Sequence, residues 1–530
     1  MKKNLFGISV LTITCMYFLL AASIIAVTLV TGIPVIYGII ASIIIIILQF
    51  IISPFLTDLS MKLFYKASFE KSIPEYLQKF IQDVCNEHQM KYPNIGYIDD
   101  GAPNAFTYGH TKNDARIILT RGIFELLTEE EVKGVVAHEL GHASHYDMLF
   151  MTVAQLVPLV LYGIYEMFSN ADKNNNNDNS YTALISIIAY ILYIISNYII
   201  LGLSRTREYY ADSFSIETTK NPNALASALV KIGYGLTIAN TNEKHSAAKS
   251  NVLGIFDSKT SKSLIITSLD DGEVSKDNIK QAMKWEQWNV WAKWYELNST
   301  HPLISKRLLA ISTRSNEFGQ EPYITFDLKQ EESYVDDFLL EVLINFLPSF
   351  TFIIGIILVI AGASLEWNVK MIIGICLLIM IFLSFIKFKR RYSPQPFVDK
   401  KVRELLSEVK VSHITSIPCL LEGTIIGRGN PGCIFNEDFV IKDDTGIIFL
   451  DYNQPINIIN KIFALFKSKE YFDKVVKVKG WYRRSPVPYV ELKTIEIDGI
   501  EKKVYTYGFL IALYIIGVIV AIGLIILGLV

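Results

Sequence analysis

Charge is scarce in this chain. Asp, Glu, Lys and Arg make up 19% of its 530 residues, against about a quarter in a soluble domain. Fifty basic side chains face 52 acidic ones, a net charge of −2. No basic excess exists to attract nucleic acid. Cysteine is equally sparse: five residues, scattered and without a C-x-x-C pair. That excludes a disulfide framework and a zinc ribbon. In place of charge the chain has apolar residues, 51% of the total, and a mean hydropathy of +0.33. Disorder and an ordinary cytosolic enzyme are both excluded by this balance. The composition is that of a membrane protein.

The apolar excess is concentrated in runs. No charged residue occurs from Asn4 to Thr57, enough for two spans with a turn at Gly32-Ile33-Pro34. The stretch is too long for a signal peptide and should remain as a hairpin anchor. Uncharged runs follow at Met148–Tyr165, Asn179–Ser204, Val342–Leu365, Met371–Ile386 and Val504–Val530, for about seven transmembrane helices in all. Lys2, Lys3, Lys62, Lys66, Lys71, Arg205, Arg207, Lys387, Lys389, Arg390 and Arg391 flank these runs on one side only. By the positive-inside rule the N-terminus and the polar segments 58–147, 205–341 and 387–503 are cytoplasmic, and the C-terminus is outside. The expected domains are a transmembrane hairpin (1–57), a soluble-faced domain with two spans at 148–165 and 179–204 (58–341), a second hairpin (342–386), a cytoplasmic β domain (387–503) and a final span (504–530).

The chemistry is carried by residues 137–147, Ala-His-Glu-Leu-Gly-His-Ala-Ser-His-Tyr-Asp. His138 and His142 are four apart and share one face of a helix, so both can hold one metal ion. Glu139 is offset and can reach a water on that metal without ligating it. This is the HExxH arrangement, in which zinc lowers the pKa of water towards ~7 and the glutamate accepts its proton. Thr128 and Glu131 form a capping box ahead of Val132, Val135 and Val136, which supports the helix.

A zinc hydrolase of this kind needs a third protein ligand and one open position. His145 lies about 10 Å along the helix axis from His138, with nothing evident to break the helix between them. The extended motif with a later third histidine would need glycine at 145 and histidine at 148, where this chain has His145 and Met148. Topology offers a better ligand. The motif helix leads into the third span, and the fourth span returns to the same side at Ser204. There the chain reads Arg205-Thr206-Arg207-Glu208-Tyr209-Tyr210-Ala211-Asp212. Glu208 falls beside the motif, and Asp212, one turn later, is placed to hold the second nitrogen of a ligand histidine. Arg205 and Arg207 read as topology anchors.

These features together resemble the HtpX-type membrane metallopeptidases, relatives of the CAAX prenyl proteases. The resemblance covers about residues 1–315: the double-span N-terminus, Gly101-Ala102-Pro103-Asn104-Ala105-Phe106, His138-Glu139-Leu140-Gly141-His142, Arg207-Glu208-Tyr209-Tyr210-Ala211-Asp212, and Thr300-His301-Pro302 followed by Arg307. It implies zinc on His138, His142 and Glu208, with Glu139 as catalytic base. It also implies that His301 and Arg307 reach the site from the later helical segment. The prenyl proteases carry more spans before this motif, which favours the HtpX side.

Beside the resemblance, Asn104-Ala105-Phe106 opens an expected hairpin of Phe106–Gly109 and Ala115–Thr120. Its edge suits an extended substrate backbone. His301, Tyr209 or Tyr210 is the expected oxyanion donor. Trp285, Trp288, Trp291 and Trp294 recur every third residue, either as a membrane-interface face or as packing against the catalytic domain. From 387 to 503, short alternating runs between Gly, Pro and Asn turns predict a small β-barrel or sandwich, with an OB-like barrel as one form. Gly427-Arg428-Gly429-Asn430-Pro431-Gly432 spells GxGxxG, but Pro431 and the strand-like run after it favour a turn over a dinucleotide site.

The expected fold is therefore a multi-pass α-helical membrane protein with a mainly α, zincin-like cytoplasmic peptidase domain and a small all-β domain. The expected function is zinc-dependent endoproteolysis of membrane or membrane-proximal proteins at the cytoplasmic face, in quality control. Processing of specific lipidated or precursor proteins, or a non-catalytic scaffold, are the alternatives. The expected partners are protein or peptide substrates and the lipid bilayer, with no nucleic acid and the oligomeric state left open.

Overall fold

A computed structural model describes residues 2–31, 35–64, 67–69, 73–98, 105–120, 123–124, 127–174, 180–239, 269–270, 273–274, 276–326, 330, 332–428, 437–443, 445, 447–471, 474–485 and 487–529. The turn expected at Gly32–Pro34 and most of the Gly427–Gly432 run lie outside the described residues, as does Asn104. Backbone packing divides the chain into two compact units. One holds the described residues of Met1–Gly235 and Glu296–Thr325, the other those of Leu236–Ala248, Ser258–Tyr295 and Phe326–Val530.

The first unit begins with two 30-residue helices, α1 (Lys2–Thr31) and α2 (Val35–Phe64), one for each half of the uncharged N-terminal stretch. A short helix α3 (Glu75–Glu87) precedes a three-stranded sheet of β1 (Asn94–Ile98), β2 (Ala105–Gly109) and β3 (Ala115–Thr120). Its order is β1-β3-β2. β3 runs parallel to β1 and antiparallel to β2, so the expected hairpin forms and leaves β2 at the sheet edge. The helix α4 (Glu129–Ser144) starts at the expected capping box of Thr128 and Glu131.

The motif helix was expected to run on into the third span. It does not. α4 ends at Ser144, His145 caps it, and Tyr146 takes a left-handed φ of 57° before α5 (Asp147–Asn174) begins. No glycine marks this break, which is why the sequence conceals it. A tyrosine at positive φ is sterically costly and is held here by the helices on either side.

The next helix, α6 (Ser180–Thr219), has 40 residues and a length of about 60 Å, twice the hydrocarbon thickness of a bilayer. One continuous rod thus carries both an apolar span and Glu208 with Asp212. α1, α5 and α6 share a core of Met16, Leu20, Met151, Val157, Leu161 and Leu203. α4 packs tightly on α6 at Gly141, where an added Cβ would stand 3.1 Å from Phe214 Cβ and 3.2 Å from Ala211 Cα. Ser215 ties the two helices further, donating to the Gly134 carbonyl at 2.6 Å. The helix α7 (Pro222–Ala239) follows, then α8 (Lys276–Trp288) and most of α9 (Val290–Leu297) fall in the second unit, and α10 (Ile304–Ser315) completes the first.

The second unit contains α8, the helices α11 (Val335–Ser364) and α12 (Val369–Arg391), the short α13 (Val402–Ser407), six labelled strands, α14 (Asn457–Phe466) and α15 (Thr506–Leu529). The strands are β4 (Ile417–Arg428), β5 (Phe439–Lys442), β6 (Ile447–Asp451), β7 (Val475–Ser485), β8 (Val487–Ile497) and β9 (Ile500–Lys503). β4 pairs with β5, β5 with β6, β6 in parallel with β8, β8 with β7, and β7 back onto β4. Five strands therefore close on themselves, with α14 between the third and the fourth. The four tryptophans fall on two helices, α8 and α9, and Trp294 is 41% exposed. Trp285, Trp288 and Trp291 are buried within this unit. Trp285 donates to the Val411 carbonyl at 2.8 Å beneath the Arg484 guanidinium, and Trp291 donates to Glu341.

Among the described residues, five helices are long and apolar enough to cross a membrane: α5, α6, α11, α12 and α15.

Candidate metal centre

The turn at His145–Tyr146, the long α6 and the loop before α10 bring three separate segments to one place. His138 and His142 project from α4 with their Nε2 atoms 3.2 Å apart. Glu208 of α6 faces both, with Oε2 3.5 Å from His138 Nε2 and Oε1 3.4 Å from His142 Nε2. One ligand atom from each of the three lies within 4.8 Å of the others. Two imidazole nitrogens facing each other and a carboxylate form a poor hydrogen-bond set but a suitable donor set for a divalent cation. The three residues fit zinc.

Both imidazoles are held from behind. Asp212 Oδ1 lies 3.0 Å from His138 Nδ1, and Asp147 Oδ2 lies 2.7 Å from His142 Nδ1. Asp147 pairs with His142 Nδ1 and Asp212 stands beside His138 Nδ1, which leaves the two Nε2 atoms facing Glu208. Asp212 is itself gripped by Arg307, whose Nε and Nη2 donate to its two oxygens at 2.9 and 2.5 Å. Arg307 Nη1 also lies 3.2 Å from Glu208 Oε2. Burial alone would lower the His138 imidazole, but hydrogen bonds to Asp212 and Glu208 outweigh it and hold the group above its ordinary value. Carboxylates that favour a proton at that point also favour a metal cation.

His301 is buried and reaches the cluster, with Nδ1 3.1 Å from Glu208 Oε1. Arg205 holds the loop that carries it, donating to the Glu296 and Ser299 carbonyls at 2.7 and 2.8 Å. Glu139 is 2% exposed, and its Oε1 has no hydrogen-bond partner among the described residues. It lines a cavity of about 230 Å³ together with His142, Glu208 and His301. Phe106 to Gly109 of β2 form one wall. Thr107 Oγ1 donates to the Glu139 carbonyl at 3.3 Å, fixing the strand to the motif helix. Ser53 and Thr57 of α2 and Met151 and Gln155 of α5 line the same cavity.

Of the residues singled out in the sequence, His138, Glu139, His142, Glu208, Asp212, His301, Arg307 and Phe106 meet at this site. Ala105 is buried in β2 without lining the cavity, and neither Tyr209 nor Tyr210 lines it. His145 packs edge-on against Phe214 and Tyr210, away from the three candidate ligands. Two residues were missed. Asp147 reaches His142 only because the helix breaks at Tyr146. Arg207, expected only as an anchor, is buried, pairs with Asp147, and donates to Ser9 of α1 at 2.7 Å. An acidic residue five positions past the second histidine was the available signal for Asp147, and it is weak without the break.

Residues 72–315 match the family described as Peptidase family M48. A "Protease HtpX homolog" of Methanothermobacter thermautotrophicus is 37% identical over 190 residues, 36% of this chain and 69% of that protein. Another, of Picrophilus torridus, is 28% identical over 292 residues, 54% of this chain and 88% of that one. The crystal structure of S. mikatae Ste24p aligns with 56% of this chain and 62% of its own at 16% identity, with a TM-score of 0.34. The part of the second unit from Phe326 onward lies beyond the matched family region. With its apolar helices and this degree of relatedness, the chain belongs to the HtpX-type membrane metallopeptidases of family M48.

Proposed function

We propose that the protein is a membrane-integral zinc endopeptidase that cleaves membrane or membrane-proximal proteins at the cytoplasmic face, in membrane-protein quality control. The observation that carries this reading is the convergence of His138, His142 and Glu208 beside the unpaired Glu139 in one cavity. His138, His142 and Glu208 would hold zinc, which would supply Lewis acidity to the scissile carbonyl and the attacking water. Glu139 accepts the proton of that water and returns it to the leaving amine. His301 donates to the developing oxyanion. Asp212 and Asp147 keep the two imidazoles in the tautomer that leaves Nε2 free, and Arg307 fixes Asp212.

The substrate backbone pairs as an added strand along β2, with Ala105 and Phe106 at the start of that edge. Such pairing tolerates many sequences, as a quality-control enzyme requires. The α2 and α5 residues lining the cavity support substrates presented at the membrane. The run of Lys and Arg flanks supports seven spans with the N-terminus and the site cytoplasmic and the C-terminus outside. The closed order of β4, β5, β6, β8 and β7, with parallel β6 and β8 and a helix before β7, supports an OB-like domain.

Glu139→Gln tests the reading. The variant purified in detergent should bind zinc like the wild type and leave casein uncut. Equal cleavage by both proteins, or a wild type that binds no zinc, would refute it.

A further inference from the structure

We infer that α14 is an interfacial helix whose outer apolar face is covered by the lipid bilayer at the headgroup–acyl boundary. The inference concerns the second unit alone and does not depend on the peptidase reading.

The helix has two apolar faces. Its inner face belongs to the barrel: Phe463 stacks on Tyr452 at 4.1 Å, and Ala464 and Asn460 are buried. Its outer face carries Ile458, Ile459, Ile462 and Phe466, which are 64, 45, 52 and 75% exposed. At about 100° per residue these four share an arc of about 100°. Ile456, just before the helix, is 55% exposed as well. A large apolar side chain scattered singly on a surface needs no partner, whereas five together mark a contact surface.

Hydrogen bonds at the start of α14 identify what covers it. Asn460 accepts from the Gln454 amide at 2.8 Å and donates to Asn453 at 3.2 Å. Those two residues in turn hold the first turn of α15. Gln454 donates to the Lys503 carbonyl at 3.3 Å and accepts from the Tyr505 amide at 3.0 Å, and Thr506 donates to the Asn453 carbonyl. α15 is a 24-residue candidate span, so α14 is pinned to the point where the chain enters the membrane.

The level of that point is marked independently. Phe388, near the end of α12, stacks on Tyr507 at 5.4 Å, and Lys387, Lys389, Arg390 and Arg391 surround it in the sequence. Basic residues and tyrosines at the end of a span are the signature of the headgroup region. Exposed Lys461 and Lys467 of α14 and its C-cap are suited to reach lipid phosphates beside the apolar arc. A helix about 15 Å long, tied to this level, with five exposed apolar residues and flanking lysines, fits the bilayer surface.

The test places single nitroxide labels on the full chain, in a background whose five cysteines are replaced by serine, reconstituted in phosphatidylcholine–phosphatidylglycerol vesicles. Labels at Ile462→Cys and Phe466→Cys are compared with Lys477→Cys on the barrel surface and Ile519→Cys on α15. Collision with oxygen should exceed collision with a water-soluble nickel chelate several-fold at 462 and 466, as at 519 and unlike 477. Ratios equal to that at 477 would place the face in water and overturn the inference. Exclusion of both reagents would show a protein cover, such as a second copy, and would overturn it equally. An unchanged thermal unfolding transition in detergent reports that each labelled chain is folded.

Discussion

Removing Asp147 should separate its two roles, because each of its oxygens serves a different partner. Oδ2 takes the Nδ1 proton of His142, and Oδ1 pairs with the buried Arg207. Loss of an outer carboxylate behind a ligand histidine typically costs 10- to 100-fold in metal affinity, about 1.4–2.7 kcal/mol. Stranding a buried guanidinium costs more, about 3–5 kcal/mol of stability. Asp147→Ala should therefore show both losses. The double variant Asp147→Ala/Arg207→Met should recover most of the stability, since methionine leaves no charge and can pack against Phe150, over which Arg207 now lies at 4.6 Å. Its zinc affinity should stay low, since His142 Nδ1 still lacks an acceptor. Competition with a chromophoric chelator reads the affinity, and thermal unfolding in detergent reads the stability. A double variant with wild-type zinc affinity would refute the assignment of Asp147 as the residue that orients His142.

Three further outcomes follow from other contacts. Gly141→Ala adds a Cβ between Ala211 and Phe214 and should lower stability by about 1–3 kcal/mol, read as a drop in Tm. Free zinc at about 100 times its Kd should stabilise the first unit by about 2.7 kcal/mol. Glu208→Ala should abolish that increment, and an unchanged increment would show that Glu208 is not a ligand. In the second unit, burial, with Lys387, Arg391 and Arg483 nearby, lowers His413 to about 4, while Tyr295 shares its Nδ1 at 2.8 Å. Between about 4 and the unfolded value of about 6.5 the unfolded chain binds the proton and the folded chain does not. Stability should thus fall as pH drops through that window. His413→Gln should flatten the dependence measured by tryptophan fluorescence.

How much of the site was readable depended on the range of the interaction. His138, Glu139 and His142 lie on one helix, so helical periodicity alone places them together. Glu208 was reachable because two intervening spans must return the chain to the same side. His301 and Arg307 sit about a hundred residues later, and only the family resemblance carried them to the site. Asp147 was lost because an unbroken helix would carry it past His142, and a left-handed tyrosine is not a recognisable helix stop. Arg207 was misjudged because a basic residue at the end of a span reads as an anchor. Its role shows only when Asp147 and Ser9 of α1 stand beside it. The tryptophans share a three-residue spacing, yet the break at Asn289 puts Trp285 and Trp288 on α8 and Trp291 and Trp294 on α9.

Local chemistry and the membrane rule thus determined the apolar segments, the motif helix with its capping box, and the acid expected to complete its ligands. These depend on short-range hydrogen bonding and on the cost of charge in lipid, both of which act through neighbouring residues. Only the tertiary structure decided the break at Tyr146, the Asp147–Arg207–Ser9 chain behind His142, the closure of five strands, and the exposed face of α14. Each of those depends on which distant surfaces meet, and contacts across a hundred residues leave no periodic trace in a sequence.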